Sequence, residues 1–118
     1  KSRPAVFHSS DGFEILVGKN NRQNDELTLR TANKTDLWLH TKDIPGSHVI
    51  IRAQRQEVPF RTIIEAAKLA AFYSKASQSQ NVPVDYTYVK NVRKPPGAKP
   101  GMVIYENYQT VFVNPEKL

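Results

Sequence analysis

Pro59-Phe60-Arg61-Thr62-Ile63-Ile64-Glu65-Ala66-Ala67-Lys68-Leu69-Ala70-Ala71-Phe72-Tyr73-Ser74 carries the clearest helical repeat of the chain. Phe60, Ile63, Ile64, Ala67, Ala70, Ala71 and Ser74 recur at the spacing that places them on one helical face, and Arg61, Glu65, Lys68 and Lys75 fall off it. The alanines on that stripe permit close approach to a sheet. Thr62 and Glu65 have capping-box spacing, and Pro59 suits a first turn, so two starts are open. Asn81-Val82-Pro83 ends the segment.

On both sides of this helix the period changes to strand-like. Phe13, Ile15 and Val17 form a short strand, broken by Gly18-Lys19-Asn20-Asn21. Asn24 or Asp25 then caps a short helix through Asp25–Arg30. Asp36 to Thr41 is extended, Ile44-Pro45-Gly46 is a turn, and Ser47 to Arg52 is a Val/Ile-rich strand. Beyond the long helix a strand runs from Val84 to about Arg93, with Val84, Tyr86, Tyr88 and Val92 on one side. Lys94-Pro95-Pro96-Gly97-Ala98-Lys99-Pro100-Gly101 is a rigid loop, because its prolines fix φ. Met102–Tyr105 and Thr110–Val113 form a terminal hairpin. The predicted architecture is one α+β domain: a mixed, mostly antiparallel sheet of five to six strands packed by one long and one short helix.

Composition narrows the function classes. The 118 residues contain no cysteine, which removes disulfides, thiolate metal sites and a cysteine nucleophile. No apolar run is long enough to insert in a membrane, and the opening Lys1-Ser2-Arg3-Pro4 leads into no signal-peptide core. The chain does not begin with Met, so it is expected to be an excised part of a longer protein. Seventeen Lys and Arg against eleven Asp and Glu give a net charge of +6, which favours a polyanionic partner over ordinary solubility charge only if the cations cluster.

Four of them do cluster, between Tyr88 and Pro100, and that stretch is one of three polar segments that stand out. Asn20-Asn21-Arg22-Gln23-Asn24-Asp25 offers amides that read bases or ribose and an Arg that clamps phosphate; the other open reading is a helix-capping loop. In a strand, Asp36, Trp38, His40 and Lys42 share one face, placing an acid, a π surface, a titratable ring and a cation side by side. Against this stand a core role for Trp38, an Asp36–His40 pair and a satisfied, partly buried His48. Lys90, Arg93, Lys94 and Lys99 lie beside Tyr86 and Tyr88 with no acid from Tyr88 to Pro100; the alternative is an edge strand protected by its lysines. A zinc site from His40, His48 and Asp36 or Asp43 matches no zinc spacing, and the strand neighbours Ser47 and His48 face opposite ways, which argues against a triad with Asp43. No phosphate-loop or nucleophile-elbow motif occurs. The expectation is a non-enzymatic domain without cofactor or metal.

Gly18–Asp25, Asp36–Lys42 and Ile44–Ile51 resemble successive signature blocks of the NFACT-R domain of the RqcH/NEMF family, whose Gram-positive members are also named fibronectin-binding protein A. Glu65–Ala71, Val82–Thr87 and Val92–Gly101 resemble its later blocks, so the likeness runs in order over roughly residues 8 to 113. The resemblance implies an RNA-binding module, residues 1–118, near the C-terminal end of a cytoplasmic, multidomain ribosome quality-control factor of a Gram-positive bacterium. Its implied partners are tRNA, the large ribosomal subunit, and the N-terminal NFACT domain and coiled coil of the same chain. The implied role is recruitment of tRNA for C-terminal tailing of stalled nascent chains, with no catalytic residues here. The rival it implies is an anchorless surface-adhesion module contacting fibronectin, fibrinogen or bacterial surface receptors. The candidate RNA-binding residues are Asn21, Arg22, Asn24, Trp38, His40, Lys42, His48, Arg93, Lys94 and Lys99.

Overall fold

The computed structural model describes residues 2–118. In chain order these form β1 (Ala5–His8), β2 (Glu14–Val17), α1 (Asn21–Glu26), a π-helical turn (Leu27–Thr31), β3 (Leu37–Thr41), β4 (Val49–Ile51) and α2 (Phe60–Phe72). There follow β5 (Val82–Tyr88), a 3-10 turn (Val89–Asn91), β6 (Val92–Arg93), β7 (Ile104–Tyr105) and β8 (Gln109–Val113). Six strands make one sheet in the order β1-β2-β4-β3-β5-β8, every pair antiparallel. β6 and β7 pair separately. The α+β expectation holds.

Strand alternation sorts the apolar residues onto two faces. Ile15, Val17, Leu37, Leu39, Val49, Ile51 and Val84 point to one face and meet α2. Ala66, Ala67, Ala70 and Ala71 are fully buried there, so the helix backbone lies close to the sheet, as the alanine stripe predicts. Leu16, Trp38 and Ile50 point to the other face and meet Leu27 of the π-helical turn with Val89 and Val92. The sheet is thus the middle of three layers.

Several local expectations change. The N-cap of α1 is Asn20, whose Oδ1 accepts from the Gln23 N–H at 2.9 Å, rather than Asn24 or Asp25. Asn24 and Asp25 are inside the first helical segment, and their side chains serve distant loops. Pro59 caps α2 without a side-chain bond, and no capping box forms. Thr62 instead lies 2.8 Å from Ser9 Oγ, and Glu65 accepts from the Ser10 backbone at 2.8 Å, pinning α2 to the β1–β2 connection. Phe60 is 59% exposed, because the helix has not yet reached the sheet at its first residue. The expected strand from Val84 to Arg93 is broken after Tyr88, where Val89 N–H donates to Asp36 O and Lys90 N–H to Lys34 O. That turn carries the chain off the sheet, so β7 pairs with β6 and β8 with β5; the 102–105 and 110–113 segments are not a hairpin with each other. Strand β1 was not expected at all.

Replacing Ala67 by Leu inserts a larger side chain between helix and sheet. The expected loss is about 1–3 kcal/mol of stability, read as a lower urea midpoint.

Candidate nucleic-acid interface

On the second face of the sheet the strand register lines up polar groups. His40 of β3 sits opposite Asp85 of β5, and Asp85 sits opposite Thr110 of β8. His48, one residue before β4, faces His40 from the other side with ring centroids 5.6 Å apart. A row His48–His40–Asp85–Thr110 therefore crosses four adjacent chain segments. Along β3, His40 lies parallel to Trp38, with centroids 5.8 Å apart and planes within 7°. Tyr105 of β7 packs 4.6 Å from Trp38.

His48 is the most constrained member. Trp38 Nε1 can only donate, and it donates to His48 Nδ1 at 3.1 Å. The proton of the neutral ring is then on Nε2, which donates to Gly101 O at 3.1 Å. Thr28 Oγ1, brought inward by the π-helical turn, lies 2.7 Å from the same Nδ1. The His48 backbone N–H donates to Asn24 Oδ1 at 3.1 Å. Burial, followed by the charge of His40, pulls the His48 pKa down to about 4. Burial also lowers that of His40, against the pull of the Thr41 carbonyl that its Nδ1 meets at 2.6 Å. At neutral pH both rings are neutral π surfaces. Neither His48 nitrogen has a lone pair left for a metal, and among the described residues no three His, Asp or Glu side chains gather as a metal site.

Asp85 is fully buried. It accepts from Tyr105 OH at 2.5 Å and Thr110 Oγ1 at 2.6 Å, with Lys42 Nζ at 3.4 Å. Burial and that bond to Asp85 raise the Tyr105 pKa. Asp36 is also buried, but it does not pair with His40; it accepts from the Asn33 and Ala53 backbones and sits 3.0 Å from Arg52.

The proline-braced loop is held down from α1. Asp25 accepts from Gly101 N–H at 3.0 Å and lies 3.2 Å from Lys94 Nζ. Lys94 also donates to Lys99 O at 2.5 Å and Met102 O at 3.1 Å, closing the loop on itself. Gly101 has φ +84°, and a Cβ there would come within 2.6 Å of Asn21 Oδ1. The loop consequently lies directly over the start of α1.

These contacts enclose a cleft of about 410 Å³ whose lining includes Asn21, Trp38, His40, His48, Pro100 and Gly101. Asn21 of the amide segment, the histidine segment and the Pro100–Gly101 end of the proline loop meet there, whereas Lys90, Arg93, Lys94 and Lys99 do not line it. A second cleft of about 360 Å³ adjoins it, sharing Asn21, Pro45 and Gly46, and is lined by Lys19 and Lys75.

The ten candidate residues separate by environment. Asn21 is exposed and His40 half-buried in the cleft lining, while Arg22 and Lys99 are exposed and each adjoins a lining residue in sequence. Trp38, 1% exposed, and His48 are interior side chains whose edges line the floor. Asn24 is buried, with its Oδ1 on the His48 backbone. Lys42 is turned to Asp85 and to the Tyr108 ring, 4.4 Å from its centroid, and Lys94 is the loop fastener. Arg93 is exposed on the β6–β7 side, beside Lys90, away from the cleft. Not singled out beforehand were Lys19 and Lys75, and the buried acceptor Asp85. The last was signalled only by an aspartate within a Val/Tyr strand pattern.

Comparison with known proteins agrees with this arrangement of segments. The model of the NFACT protein RNA binding domain matches residues 3–107. "Rqc2 homolog RqcH" of Bacillus subtilis is 57% identical over 111 residues, 94% of this chain and 19% of that protein. The protein of the same name in Streptococcus suis is 47% identical over 116 residues, 98% of this chain and 21% of that protein. The chain thus spans about a fifth of these relatives' length. The solved C-terminal part of the fibronectin/fibrinogen-binding protein from Streptococcus suis superposes with a TM-score of 0.93 at 46% identity, covering 99% of this chain and 48% of that one.

Two outcomes follow from the His48 environment. Its folded pKa lies below the ordinary 6.5, so the unfolded chain binds the extra proton first. Stability present above pH 6.5 is lost as pH falls toward 4, by up to about 3 kcal/mol for this group. An NMR titration of the His48 ring checks it: the midpoint is expected near 4, and a midpoint near 6.5 contradicts it. Separately, a Cβ on Gly18 would stand 2.0 Å from Asn24 Oδ1. Gly18→Ala is expected to dislodge Asn24, leave the His48 N–H unpaired and cost about 1–3 kcal/mol in thermal or urea unfolding.

Proposed function

The chain belongs to the NFACT RNA-binding domain family, and from that premise we propose that it binds RNA across the cleft and its cationic rim, holding tRNA at the large ribosomal subunit. The observation that carries the reading is the meeting of Asn21, the histidine segment and the end of the proline loop at one cleft, with Lys19 and Lys75 lining the cleft that adjoins it. Exposed cations supply the affinity for phosphates, and the fixed aromatic and amide groups supply orientation. Lys94 on its three oxygens contributes by keeping the loop in place rather than by meeting phosphate. The relatives named RqcH support reading it as a module of a ribosome quality-control factor, where it would help recruit tRNA for C-terminal tailing of stalled chains. In this reading it acts by binding, without catalysis, in the cytoplasm, together with the other domains of its polypeptide, the N-terminal NFACT domain and coiled coil among them.

A second reading is adhesion to fibronectin or another surface receptor, favoured by the likeness to the solved fibronectin/fibrinogen-binding protein of Streptococcus suis. Exposed Val6 and Phe112, on the two rim strands of the sheet, are the apolar contacts such a role would use. One experiment separates the two. Lys19, Arg22 and Lys99 are changed together to Glu, which spares the Lys94–Asp25 fastening. Fluorescence anisotropy with tRNA at rising salt is expected to show a log–log slope shallower by about two units and affinity weaker by roughly tenfold or more. Affinity for tRNA that is insensitive to salt, or unchanged in the variant, would overturn the RNA reading. Fibronectin binding that survives the same changes would support adhesion.

A further inference from the structure

The two adjoining clefts differ sharply in charge. The larger is lined by no lysine or arginine; its one ionisable acid is Asp43. The smaller is lined by Lys19 and Lys75 and by no acid. A phosphate is repelled from the first and attracted to the second. The larger cleft instead suits a flat, uncharged group. Its wall is His40, which lies parallel to the buried Trp38, and Tyr105 packs beside them. Its volume, about 410 Å³, falls within the range of sites that enclose a small ligand.

Asp43 decides what such a group must offer. It is exposed, its backbone is held at φ +54°, and it makes no side-chain hydrogen bond or ion pair among the described residues. It lines the cleft together with His40 and Tyr105. An ionised carboxylate only accepts, through two oxygens side by side. Asn21, which lines both clefts, both donates and accepts. Among the four RNA bases, guanine alone presents two adjoining donors, N1–H and N2–H, on its Watson–Crick edge. Cytosine and adenine each bring one amine beside an acceptor, and uracil brings one N–H between two carbonyls.

We propose that the larger cleft takes a single unstacked guanine of a loop or single-stranded RNA segment, with Asp43 accepting from its Watson–Crick donors and the flanking phosphate in the Lys19–Lys75 cleft. This rests on the RNA-binding reading above and adds a base preference to it. Recognition of splayed-out bases by stacking and edge hydrogen bonds is the general mode for single-stranded RNA. Asn21 bridges the two sites at the sugar. The neutral histidines let the base stack without drawing its phosphate inward.

The test uses the 118-residue chain and uridine heptamers bearing one central guanosine, adenosine, cytidine or uridine. Fluorescence anisotropy is expected to give the guanosine oligomer roughly tenfold tighter binding than the others. Asp43→Asn keeps a side chain that tolerates the left-handed backbone. It is expected to abolish the guanosine preference and leave the salt slope unchanged. Equal binding of the four oligomers, or a preference that survives Asp43→Asn, overturns the proposal while the RNA reading stands. No binding of any oligomer or of tRNA at low salt overturns both. A second measurement needs no variant: guanosine monophosphate, and not adenosine monophosphate, is expected to shift the amide resonances of Asp43, His40 and Tyr105. Shifts confined to other regions, or equal for the two nucleotides, overturn it.

Discussion

The neutral imidazole of His48 is the constraint on which this structure turns. One ring nitrogen takes the Trp38 indole proton and the other gives its own to the Gly101 carbonyl. The backbone of the same residue accepts from Gly18 and donates to Asn24. A single side chain and its peptide groups thus join the central sheet, the first helix, the π-helical turn and the proline loop. The arrangement works only for one tautomer and one charge state. A second ring proton would face the indole N–H head-on, and burial makes that proton costly to add.

The basic character of the chain is divided by the fold into two populations. Lys42, Arg52 and Lys94 are committed to Asp85, Asp36 and Asp25, and these partners organise turns and the layer above the sheet. Such part-buried pairs are costly to break, because the remaining charge would be stranded away from water. Lys19, Arg22, Lys75 and Lys99 stay exposed, Lys19 and Lys75 in the smaller cleft, where water screens them and where a polyanion displaces little structure. Net charge alone does not distinguish the two groups.

What was legible in the sequence follows from the range of the interactions. Helix α2 and the strands around Ile15, Leu39 and Ile50 were read from local periodicity, which survives folding unchanged. The broken strand after Tyr88 was not, because the turn is made by Asp36 and Lys34 carbonyls more than fifty residues away. The cap of α1 was misplaced by a few residues, since Asn20, Asn24 and Asp25 are all good caps and only tertiary partners assign them. The three polar segments were recognisable as a set; Asn21, the histidine segment and the end of the proline loop do line one cleft, but the cations of the Lys90–Lys99 stretch do not. Their division into interior fasteners and free side chains was not, since nothing local says that Lys94 has a partner at Asp25 or that Trp38 points inward. Asp85 and the Lys19–Lys75 pair depend on strand pairing and loop approach, which no short window records.

The strand order has a consequence for how the module is mounted. Strands β4 and β3, whose ends form the cleft floor, are the central pair of the sheet, whereas β1 and β8 are its outermost members. The polypeptide enters along one margin and leaves along the other, five strand spacings or about 24 Å away. Beyond Val113 the chain folds back on α2, where Glu116 N–H donates to Lys68 O, so its exit lies on the helix side of the sheet and leaves the cleft side open.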